Sequence, residues 1–202
     1  MPSPAQTRFA NLTGYVQQLI DIHAAVQQGR GRRHRQEAIH RAGIVMTIAA
    51  WEAYVEDLVG VAFDEIKPTT AAPQWAKSVF ELARTTGDAK AGQLHTPNAE
   101  NVRALFGTTI GYDPWPDWVW TSPRRNWNSH QMRARLNAWL RIRHCIAHGA
   151  GLPTNVAWIQ GPSGKPRLTL SLLKECRRFF EHLTQRTDDG LRTALQDLYN
   201  VT

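Results

Sequence analysis

Residues 129–149 read SHQMRARLNAWLRIRHCIAHG. Met132, Leu136, Trp139, Leu140, Ile146 and Ala147 fall on one side of a 3.6-residue helix, so the stretch predicts a helix over 129–148. Gly149 and Gly151 end it, and Pro153 follows. On the wheel Arg143 sits about 20° from Met132, inside the apolar stripe. His144 and His148 lie side by side at its edge. A guanidinium on a core-facing stripe needs a carboxylate, or it lines a cleft that receives an anion.

The same periodicity extends upstream. Phe9, Leu12, Val16, Leu19, Ile20 and His23 predict a first helix over 5–28. Gly29 to Arg35 (GRGRRHR) reads as a basic link, in which Arg32, Arg33 and Arg35 are candidate phosphate contacts. Ile44, Ile48, Trp51, Val55, Leu58 and Ala62 predict a second helix over 36–66, closed by Pro68. Glu52 flanks that stripe and is the expected partner of Arg143. Pro73 opens a short helix to Ala83, and Pro97-Asn98 opens another with Val102, Leu105 and Phe106 inward. Residues 112–125 (YDPWPDWVWTSPRR) read as a packed loop. The order strand, Gly-Pro-Ser-Gly turn, strand predicts a small β-hairpin at about 154–171. A final helix over 171–198 carries Leu172, Leu173, Cys176, Phe179, Phe180, Leu183, Leu191, Leu195 and Leu198, with Gly190 a potential break. The sum is one all-α domain over 1–202, an up-down helical bundle with a hairpin before the last helix.

Hydrophobic residues make up 42% of the 202-residue chain and the net charge is +7, which excludes a disordered chain and suits an anionic partner. The charge is mostly arginine, the residue suited to phosphate forks and base stacking. Two cysteines form no CxxC pair, and no apolar run is long enough to span a bilayer. The expectation is a cytoplasmic protein with no membrane partner. No GxxxxGK[ST] loop and no GxGxxG turn is present, so a nucleotide-hydrolysing engine is not expected, and neither is a cofactor.

Arg143 and His148 together supply what phosphodiester cleavage needs: a fixed cation for the phosphate and a group that moves a proton near neutral pH. Other readings of these residues exist. His144 and His148 form an i,i+4 pair that could bind a metal, but no HExxH or distant CxxC completes a set, so no metal site is expected. Cys145 points away from His148, against a cysteine nucleophile. Trp115, Trp118, Trp120, Arg124, Arg125 and Trp127 interleave rings and cations as single-strand binders do, or simply pack the loop.

Arg143 and His148 are spaced as in the Arg-x4-His signature of HEPN domains, and RHCIAHG resembles their RNxIAHG form. AAWEAYVEDLV and PNAENVRALFG are similar to segments of the RiboL-PSP subgroup. The resemblance spans roughly 40–150. His144 stands where asparagine is more usual. The resemblance implies a metal-independent endoribonuclease in which the 2′-hydroxyl attacks the adjacent phosphorus. It implies a homodimer whose two motifs share one composite cleft. His148 is then acid or base, Arg143 the transition-state binder, His144 an auxiliary, Glu52 a support and Arg141 a weaker RNA contact. Family analogy also implies a toxin or defence effector with an antitoxin or regulatory partner. The alternative is a non-catalytic HEPN-like module that binds RNA or protein.

Overall fold

The computed structural model describes residues 1–25 and 36–199. Six helices carry the fold: α1 (Pro4–Ala25), α2 (Glu37–Glu65), α3 (Gln74–Gly92), α4 (Ala99–Thr109), α5 (Ser129–Ala147) and α6 (Leu170–Tyr199). A two-stranded hairpin, β1 (Trp120–Ser122) and β2 (Arg125–Trp127), precedes α5. The architecture is all-α, as the periodicity predicts. Among the described residues no helix is long and apolar enough to cross a membrane.

The central helix is α2, with α1, α3, α4, α5 and α6 packed around it. Its predicted stripe, Ile44, Ile48, Trp51, Val55, Leu58 and Ala62, is wholly buried. Trp51 anchors the centre. Its ring contacts Tyr54, Trp118 and Phe180, and its indole N–H donates to the Pro97 carbonyl at 3.0 Å. Tyr54 donates to the Thr184 carbonyl and Trp118 to the Thr187 hydroxyl, so these buried polar tips are satisfied. Burying a side chain of this size stabilises by roughly 2–3 kcal/mol.

Local signals set the ends of α5. Asn128 and Gln131 form a reciprocal capping box, each side chain accepting from the other's backbone N–H at 3.0 Å. This fixes where α5 starts and so the phase of every residue after it.

Four expectations are corrected. The hairpin lies at 120–127, overlapping the end of the stretch read as a packed loop and running past it, and pairs Trp120 with Trp127 across the strands. The stretch 154–171 holds instead a 3-10 turn (Ala157–Ile159) and a single bridge between Gln160 and Pro166. Pro162 and Pro166 have no N–H to extend a ladder there. The third helix runs nine residues past Ala83 to Gly92. Arg84 pairs with Asp64 at 2.7 Å, and Gly87 sits flat against the Phe63 ring, so tertiary contact carries the helix through a weak stretch. Finally, α6 passes unbroken through Gly190, where the absent Cβ lets the helix lie against Asp117 and Tyr112.

Candidate active site

The last two turns of α5 and the middle of α2 form the candidate site. The Arg143 guanidinium donates to Glu52 Oε2 at 3.1 Å, across a separation of 91 residues. The Arg143 side chain stays 31% exposed while Glu52 is 19% exposed, so Glu52 holds the cation from the core side and leaves a face toward solvent. The second oxygen, Oε1, is buried and accepts no hydrogen bond among the described residues. Burial pushes the Glu52 carboxyl above its ordinary value; Arg143 opposes that shift and Glu56 adds to it.

His144 and His148 are both exposed, with ring centroids 4.3 Å apart. Their positions follow from how α5 ends. His148 is the C-cap, its N–H bonded to the His144 carbonyl at 3.1 Å. Gly149 takes φ +66°, in the left-handed region. Its N–H bonds to the Ile146 carbonyl, and the Ala150 N–H to the Cys145 carbonyl at 2.9 Å. These are the paired bonds of a Schellman motif, so His148 projects from a helix end fixed by hydrogen bonds.

The structure therefore pairs Glu52 with Arg143 and sets the His144 ring against that of His148 at the end of the same helix. Arg141 is exposed nearby, and among the described residues its hydrogen bond is to the Asn155 amide oxygen, at 3.4 Å. Arg32, Arg33 and Arg35 lie outside the described residues. Among the described residues no group of three or more His, Cys, Asp or Glu side chains could hold a metal ion. Cys145 is half-buried and free, and Cys176 is buried and free.

Sequence reading missed what braces α5 from behind. Arg135 lies over Trp158 at 4.0 Å and over Trp127 at 4.8 Å, while Arg125 lies over Trp127 at 4.1 Å and over Trp120 at 4.5 Å. Glu175 on α6 accepts from Arg125 at 3.5 Å and forms an ion pair with Arg135 at 3.3 Å. Trp120 in turn stacks on His182 at 4.2 Å. The ladder ties α5, the hairpin and α6 into one support. Its signal was present in the hairpin: residues 125 and 127 share a strand face, and Trp120 stands opposite. The interleaved rings therefore pack against the fold, with Trp118 fully buried and Trp115, Trp120 and Trp127 partly so; Arg125 is half-buried among them and Arg124 stays exposed.

A family model described as RiboL-PSP-HEPN matches residues 10–192. The chain belongs to this family. Neither the curated proteins nor the solved structures gave a match. In this RiboL-PSP-HEPN protein the tryptophan-glutamate helix is α2, and the Arg-x4-His pair closes α5. The match extends well beyond the two motifs, reaching from α1 into α6.

Proposed function

We propose that this RiboL-PSP-HEPN protein is a metal-independent endoribonuclease that works as a homodimer. The observation that carries the reading is the Arg143 cation, held by Glu52 at 3.1 Å on the helix end that also carries two exposed imidazoles. Glu52 fixes the guanidinium without covering it. The free face can bind a phosphate and gain strength as charge builds on the phosphorane oxygens. One imidazole takes the proton from the 2′-hydroxyl as its oxygen bonds to phosphorus. The bond from phosphorus to the 5′-oxygen breaks, and a second imidazolium protonates that leaving oxygen. The products are a 2′,3′-cyclic phosphate and a 5′-hydroxyl end. His148 takes the leading proton-transfer role and His144 assists.

Proton delivery from both sides of the phosphate calls for imidazoles on opposite faces, which a two-fold axis would supply. The surface of α2 next to Glu52 suits such a pairing. Ala42, Met46 and Ala49 are exposed in successive turns, with Ala53 half-buried after them. Small residues allow close helix approach, and a flexible methionine adapts to a partner surface. We place the protein in the cytoplasm, where free thiols such as Cys145 and Cys176 persist. A toxin or defence role, with a neutralising partner, is the cellular setting that the family suggests.

The test is cleavage of a mixed single-stranded RNA in EDTA. Wild type cuts, and His148→Ala is slower by at least about 100-fold, the lower end of general acid–base catalysis. No cutting by folded, dimeric wild type would overturn the proposal and leave a non-catalytic RNA- or protein-binding module. Cutting that EDTA abolishes would point to a metallohydrolase.

A further inference from the structure

A polar face of α5 continues far beyond the candidate site, exposed at His130, Arg141, His144 and His148 and half-buried at Arg133 and Asn137. His130, Arg133, Asn137, Arg141, His144 and the cap residue His148 follow at steps of three or four, within about 80° of arc. From His130 to His148 the strip is about 27 Å long at 1.5 Å per residue. No acidic residue occurs anywhere in α5. Arg135 and Arg143, on the inner side, carry carboxylate partners. Arg133 and Arg141, on the strip, have none among the described residues. Arg133 is held instead by Trp115, with its guanidinium carbon 3.8 Å from the ring centre; Arg103 lies over the same ring at 4.3 Å. Among the described residues Arg141 bonds only to the Asn155 amide. Cations that the fold leaves unneutralised, in a row that ends at two imidazoles, need an anion with repeated charge.

We propose that this face of α5 is a track for single-stranded RNA leading into the Arg143–His148 site. The proposal rests on the ribonuclease reading and specifies how substrate is held. Arg141 contacts a phosphate next to the scissile one. Arg133, set over the Trp115 ring, meets a phosphate or stacks a base about two helical turns further out. An acidic protein could also be drawn to the strip. RNA fits better, because the row is continuous with the site and a ring-mounted guanidinium matches a base plane. Among the described residues one carboxylate bonds to the strip: Glu100 accepts from Asn137 Nδ2 at 3.1 Å. It should oppose a polyanion.

The test measures binding of a fluorescent single-stranded RNA, long enough to span α5, by anisotropy across a salt series. All proteins carry His148→Ala to prevent cutting. Each of Arg133→Gln and Arg141→Gln should weaken binding several-fold and reduce the salt slope by about 0.7, the counterion release per single-strand phosphate. Glu100→Gln should tighten it. Arg141 is exposed and makes one weak contact, so its variant tests the track even if Arg133→Gln unfolds. Unchanged slope and affinity in Arg141→Gln and Glu100→Gln, with wild type still cutting RNA, would overturn the track alone. Wild type that neither binds nor cuts would remove the ribonuclease reading and the track with it. Polyglutamate bound as tightly as RNA, and weakened equally by Arg141→Gln, would assign the face to an acidic protein and overturn the RNA track.

Discussion

Alanine at Gly149 and alanine at Gly107 should move stability in opposite directions. At Gly149 an added Cβ meets nothing within 4 Å, so no clash contributes. The cost is conformational: φ is +66°, and a non-glycine residue in the left-handed region loses about 1–2 kcal/mol. Gly107 lies in α4, exposed and equally free of neighbours within 4 Å. There alanine should gain about 0.5–1 kcal/mol, because helical glycine is the more flexible residue when unfolded. For a domain of this size each kcal/mol moves Tm by about 2–4 °C, so Gly149→Ala should lower it by about 2–8 °C and Gly107→Ala should raise it by about 1–4 °C. Gly149→Asn should fall between wild type and Gly149→Ala, since asparagine tolerates the left-handed region. Thermal melts followed by circular dichroism read all three. A neutral or stabilising Gly149→Ala would mean that α5 does not end in a left-handed cap, and the placement of His148 would lose its basis.

Reversing the half-buried Glu52–Arg143 pair should separate contact from proximity. Glu52→Arg should be destabilising, and adding Arg143→Glu should restore about 1 kcal/mol or more in urea titrations; no recovery would mean that the pair contributes nothing by direct contact. Burial holds the His182 imidazole below its ordinary value, against the pull of its bond to the Val119 carbonyl; Arg186 and Arg125 lower it further. The unfolded chain then binds the proton more tightly, so stability falls as pH drops through about 6.5. His182→Gln should flatten that loss between about pH 7.5 and 5.5, and identical pH slopes in the two proteins would sink the assignment. Gly190→Ala should cost about 1–3 kcal/mol, because its Cβ would collide with Asp117 and Tyr112; a melt at or above wild type would refute that close approach.

Much of the bundle is legible because its signals are local. The α2 stripe and the start and stop of α5 follow from residues within a few turns of one another. The Glu52–Arg143 pair was within reach for a related reason: each residue lies on the flank of an apolar stripe that must face the other helix. What was not legible depends on distant chain. On α5, Ile142 is wholly buried while Ala147 is exposed, so the buried face is rotated from the one the sequence suggests. The rotation reflects the 3-10 segment, whose Trp158 ring lies 4.6 Å from Trp139 and also covers Arg135. Nothing within α5 announces a tryptophan arriving from outside it. The hairpin was hidden for a different reason: its strands are three residues each, and their aromatic cross-strand pair is also what a packed loop would carry.

The Schellman end of α5 changes what counts as the motif. An arginine and a histidine five positions apart occur by chance in many helices, where the histidine sits mid-turn with more chain beyond it. Here the histidine occupies the final position, and the glycine after it turns the backbone away. The informative pattern is therefore three residues long in chemical terms: a cation, an imidazole and a left-handed stop. In a chain with the first two but a β-branched residue in place of Gly149, the helix would run on or fray. Its imidazole would then point along a helix flank rather than out from its tip.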